Sequence, residues 1–136
     1  MTLSTRPNLP PVVARVKVAP RHVVCGVCAA SAGVHAALVP EHLLESRPLG
    51  IAFAVDALLL ALAALVVRDP RHDRWAPATA IWLLAATAGA YLLSRNTGIP
   101  GLVPHPEALD PLGFVVSTAE VVAVLAAVRL ITRKEP

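Results

Sequence analysis

The chain has 136 residues, of which 56% are hydrophobic, 15% charged and 4% aromatic, with a net charge of +3. That length allows one domain, but a soluble domain carries about 25% charged residues, and the surplus of Ala, Leu and Val exceeds what a small aqueous core can bury, so lipid is the expected solvent. The basic residues sit in short segments between apolar runs rather than on a polar domain surface, which argues against a nucleic-acid partner, and the two cysteines are too few for a secreted disulfide scaffold.

Residues 1–21 hold Pro7, Pro10, Pro11 and Pro20 with Arg6, Arg15, Lys17 and Arg21, the pattern of a basic, disordered tail. Four apolar runs follow, expected as helices over about 22–39, 49–67, 76–93 and 112–132 within a transmembrane domain of 22–132, and residues 133–136 form a C-terminal tail. Each run has the length of about 20 residues that a spanning helix needs. None alternates with period two, which excludes a membrane barrel. Pro40 is expected to stop the first helix. Pro48 precedes the second, Asp69-Pro70 breaks the chain after it, and Pro77 falls in the first turn of the third. Asp110-Pro111 reads as N-cap and first residue of the fourth. Trp75 and Tyr91 lie near opposite membrane boundaries. The first run shares a basic leader and the small residues Ala29, Ala30 and Ser31 with signal peptides, but it is long for such a segment and is read as a spanning helix. The expected fold is an all-α membrane protein, an antiparallel bundle of four transmembrane helices.

Ten of the twelve Lys and Arg residues fall in the N-terminal tail, the second loop (Arg68, Arg71, Arg74) and the C-terminal end (Arg129, Arg133, Lys134). Only Arg47 and Arg95 fall in the first and third loops. Positive residues favour the cytoplasmic side, so a multi-pass protein of a bacterial inner membrane with both termini cytoplasmic is expected.

This topology gathers polar residues in the outer half. His35 lies about 6 Å, Asp56 roughly 10 Å and Glu120 roughly 12 Å below the outer helix ends, at 1.5 Å per residue. An ionisable group within a span costs about 2.5 kcal/mol or more and faces the bundle interior or a wet cavity. The first outer loop adds Glu41, His42 and Glu45, and the third adds Arg95, His105, Glu107 and Asp110. The imidazoles and carboxylates of His35, His42, His105, Glu107 and Glu120 suit a transition metal, zinc or copper. His35 and His42 are seven apart, with Pro40 expected to interrupt the helix between them. Asp56, Glu120 and Arg95 make a proton-carrying or polar core. A purely structural arrangement competes: Asp56 and Glu120 hydrogen-bonded to Ser117, Thr118 or Thr87, and Arg95 clamping the loop through Glu107 or Asp110. Glu120 is expected to point into the bundle within reach of Arg95, His35 or His105.

Cys25-Gly26-Val27-Cys28 is a CxxC near the cytoplasmic end of the first helix, read as two small helix residues, with thiol redox or metal docking as the alternative. Gly26, Ala29, Ala30, Gly33 and Ala36 are expected to form a packing surface for a neighbouring helix. The third outer loop, from Ser94 to Pro111, is long for a connection and stiffened by prolines. The stretch Ser94-Arg95-Asn96-Thr97-Gly98-Ile99-Pro100, then Glu107, Asp110-Pro111-Leu112-Gly113 and Glu120, with His35 and Pro40-Glu41-His42, resembles small four-helix membrane proteins of high-GC bacteria. The resemblance covers about half the chain and implies the fold but no activity; Asp56 has no counterpart in that pattern.

The expected function is a binding protein with an outward-facing His and carboxylate site, for a transition metal. The alternatives are a proton-coupled small-solute or ion transporter acting as an oligomer, with Asp56 and Glu120 as proton carriers, and an accessory or scaffold subunit of a membrane complex. Besides the lipid bilayer, the expected partners are further copies of the chain or other subunits of such a complex. An enzyme is disfavoured, because no nucleophile and base pair, phosphate loop or HExxH is present.

Overall fold

Four helices and their connections account for the whole of the computed structural model, which describes residues 19–72 and 75–132. The N-terminal tail up to residue 18 and the C-terminal tail 133–136 lie outside the described residues, as do positions 73 and 74 of the second loop. Helix α1 spans Pro20–Glu45, α2 Arg47–Arg68, α3 Ala76–Asn96 and α4 Pro111–Thr132. All four are long and apolar enough to cross a membrane, and they pack against one another as an antiparallel bundle. Each helix packs on its two sequence neighbours, with α4 closing the ring against α1.

Proline placement explains most of the helix starts. Pro20, Pro48 and Pro77 each sit in a first turn, where a missing N–H costs no hydrogen bond. The Asp110 carboxylate caps α4, accepting from the Gly113 N–H at 2.6 Å and the Leu112 N–H at 3.3 Å. A 3-10 turn at Pro70–His72 follows α2, with the Arg71 N–H donating to Asp69 Oδ1 at 2.9 Å.

The first helix does not end at Pro40. It continues to Glu45, with Pro40 in its interior. A proline inside a helix removes one hydrogen bond and bends the axis, but the rest of the ladder holds when neighbouring contacts fix the next turn. Here the turn after Pro40 is tied down, since the Ser46 N–H donates to the His42 carbonyl at 2.8 Å. The expected first loop therefore shrinks to Ser46, whose extended backbone separates α1 from α2. Gly50 permits this corner: a Cβ there would run into the side chain and backbone nitrogen of Leu43. The third connection is likewise shorter than expected, 97–110, because α3 continues through Ser94 and Arg95 to Asn96.

The apolar core fills the end of the bundle near Asp69. It is made of Val24 and Cys28 from α1, Leu60, Ala63, Ala64 and Val67 from α2, Ala76, Ala80 and Leu84 from α3, and Ala123 and Ala127 from α4. In lipid, helices associate through close packing rather than a hydrophobic driving force, so alanines at the contacts let the backbones approach. The small residues expected to pack α1 do not serve here. Gly26, Ala29, Ala30, Gly33 and Ala36 are exposed, and the buried face of α1 is Val24, Cys28, Ser31 and Ala32. Both cysteines are free thiols. Cys28 is a core residue and Cys25 donates to the Ala64 carbonyl at 3.3 Å, so both serve packing.

Candidate functional site

At the Ser46 end the helices separate around a cavity of about 710 Å³. His35, His42, Asp56, Arg95, Glu107 and Glu120 all line it. His105 does not; it stands exposed on the 97–110 connection.

Helical spacing sets the floor. Ser31 and His35 are one turn apart on α1, so the His35 Nδ1 reaches the Ser31 carbonyl at 2.9 Å and Oγ at 3.4 Å. His35 Nε2 lies 3.3 Å from Asp56 Oδ2 on α2. Asp56 accepts from Thr87 Oγ1 of α3, 3.3 Å from each carboxyl oxygen. Ser31 Oγ donates to Glu120 Oε1 of α4 at 2.5 Å. Thr87, Asp56, His35, Ser31 and Glu120 thus form one polar chain through all four helices. Glu120 is fully buried, and among the described residues its Oε2 has no hydrogen-bond partner.

The carbonyl of Ser31 can only accept, so His35 Nδ1 carries a proton. Nε2 then faces a carboxyl oxygen, and that contact is attractive only with a further proton on one of the two. The geometry therefore sets His35 and Asp56 side by side as a pair, with Ser31 linking it to Glu120.

Because α1 is continuous through Pro40, the seven-residue spacing puts His35 and His42 on one face. The Phe53 ring lies against both, 5.1 Å from the His35 ring and 4.0 Å from the His42 ring. His42 Nδ1 also sits 3.3 Å from Glu45.

The rim is built by the end of α3 and the connection. Gly98 takes the left-handed conformation (φ 74°) after α3, its N–H bonding to the Leu93 carbonyl at 2.9 Å. Ile99 and Val103 then pair as a short antiparallel bridge around Gly101, also left-handed (φ 83°). The chain folds back over α3, where the Glu107 N–H donates to the Ser94 carbonyl at 3.0 Å. Ile99, Leu102 and Val103 thereby wall one side of the cavity. Arg95 clamps this arrangement. Its Nη1 lies 2.9 Å from Glu107 and donates to the Ala108 carbonyl at 2.6 Å, and its guanidinium sits 4.9 Å from the Tyr91 ring centroid. The Tyr91 hydroxyl donates to the Asp110 carbonyl at 3.0 Å.

Arg95 is therefore a partner of Glu107 and not of Glu120, whose partner is Ser31. Among the described residues, no three His, Cys, Asp or Glu side chains come together as a metal-holding group. The five residues named as a metal set are spread over the floor, the wall and an exposed turn. Sequence reasoning overlooked Ser31 and Phe53. Ser31 stands four residues before His35, and that spacing was its available signal.

Comparison of the chain with protein-family models, with curated proteins and with solved structures finds no match.

Proposed function

We propose that this chain is a small-solute binding or carrier protein of the bacterial inner membrane, with both termini cytoplasmic, whose cavity opens outward and whose polar floor handles protons. The observation that carries the reading is the continuous chain Asp56–His35–Ser31–Glu120 along the floor of a 710 Å³ cavity. Ionisable groups within spans mark proton relays and ligand paths, and cavities of this size hold small molecules. The orientation rests on the ten-to-two partition of Lys and Arg. The transition-metal reading has less support. Both His35 nitrogens are already engaged, and no ligand group converges among the described residues. Assembly with further copies or in a larger complex belongs to the same proposal.

The proton reading is tested without any solute. Difference infrared spectroscopy of the protein in lipid, titrated with pH, should show a carboxylic-acid carbonyl band that disappears on deprotonation. Asp56→Asn and Glu120→Gln should each remove part of it, and His35→Ala should shift it. The titratable groups around the chain are His42, Glu41 and Glu45 of α1, Arg95 and Tyr91 of α3, and Glu107 and Asp110 of the connection, so Glu107→Gln serves as the control that leaves the band in place. A band absent at every pH, or unaltered in all three floor variants, would end the proton reading.

A further inference from the structure

We infer that the cavity takes a small organic cation, an ammonium group on an apolar body, and that its charged end docks on Glu120 Oε2. The inference rests on the binding-cavity reading above and assigns it a ligand class. Glu120 is fully buried, yet one carboxyl oxygen has no partner among the described residues while the other is held by Ser31. A buried acceptor left unpaired is costly, and native side chains rarely tolerate it without a donor from elsewhere. Glu120 lines the cavity, so a bound molecule can supply that donor.

The charge of the lining selects the donor. Glu41, Glu45, Asp56, Glu107, Asp110 and Glu120 all line the cavity, against one guanidinium, Arg95. Arg95 is already neutralised, with Glu107 at 2.9 Å and the Ala108 carbonyl at 2.6 Å. The Asp110 carboxylate is spent on the N-terminus of α4, and Glu45 on His42. A cleft lined by one sign of charge concentrates the opposite ion. An anion would meet this excess, and Arg95, whose Nε has no hydrogen-bond partner among the described residues, already has its charge balanced by Glu107. The rest of the wall accepts an apolar body: Leu38, Phe53, Ile99 and Val116 line it.

The probes are phenethylammonium, its neutral counterpart phenethyl alcohol, and the anion hydrocinnamate, titrated calorimetrically into the full chain in lipid nanodiscs. Phenethylammonium should bind about tenfold or more tightly than the alcohol, and hydrocinnamate more weakly still. Glu120→Gln should lower phenethylammonium affinity by about tenfold and leave the alcohol unchanged. Asp69→Asn, outside the cavity at the opposite end of the bundle, should change it by less than about twofold. If Glu120→Gln does not fold, Glu120→Asp should retain the preference for ammonium. Equal binding of ammonium and alcohol would overturn the charge assignment while leaving the cavity as a binding site. Preferred binding of hydrocinnamate, unchanged affinity in Glu120→Gln, or no heat from any probe would overturn the inference, and the infrared titration, which needs no solute, judges the proton reading separately.

Discussion

The two halves of the bundle use the same four helices to opposite ends. Near Asp69, alanines at the contacts draw the helices together around Leu60 and Leu84, both fully buried. Near Ser46, His35, Asp56, Phe53 and Glu120 hold them apart around a cavity. Hydropathy alone does not separate the halves, since both lie within apolar spans. Side-chain size does: small residues at the contacts close one half, and long polar and aromatic ones keep the other open.

The difference makes its sharpest prediction for one deletion placed in each half. Leu84→Ala should destabilise the protein by about 2–5 kcal/mol, because closely packed neighbours cannot collapse into the space. Leu38→Ala, on the cavity wall, should cost less than about 1.5 kcal/mol, because its neighbours already border a gap. Reversible denaturation in detergent micelles measures both, and equal costs would mean that the cavity half is as tightly packed as the core. Gly50→Ala comes next. The added methyl meets Leu43 at the Ser46 corner, and about 1–3 kcal/mol of overpacking cost is expected in the same assay. The smallest effect belongs to the rim. Glu107→Gln breaks the Arg95 pair, whose side chains are 17% and 32% exposed, and should lower global stability by about 1 kcal/mol or less. Its signature should be local, as faster amide hydrogen exchange across 97–110, with no change in the core helices.

Much of this was legible in the sequence. Run length and proline punctuation place four helices, and the Asp110-Pro111 cap falls where its residue types require. Asp56, His35 and Glu120 were legible as a group because charge inside a span has few places to go. What escaped was set by neighbours. Pro40 reads as a stop, but Ser46 bonding back to His42 carries the helix past it, which puts His35 and His42 on one face. The face of α1 that packs inward was misjudged for a related reason. A stripe of glycine and alanine suits a helix contact, yet α1 carries two candidate faces, and pairing of Ser31 with Glu120 and burial of Cys28 select the other. The Arg95–Glu107 clamp, by contrast, was legible as the structural alternative, because Glu107 stands nearer to Arg95 in sequence than Glu120 does, and that shorter reach prevails.

The single-residue corner at Ser46 has a mechanical consequence. With no slack between them and the most extensive packing in the bundle, α1 and α2 behave as one rigid hairpin. Helices α3 and α4 are joined instead by fourteen residues, 97–110, and the seam between α2 and α3 is the least extensive around the ring. Any widening of the cavity must therefore come from displacing the second hairpin against the first. That motion would part Thr87 from Asp56 and Glu120 from Ser31, breaking the polar chain at both of its ends while the Ser31–His35–Asp56 segment, carried entirely by the rigid hairpin, stays whole.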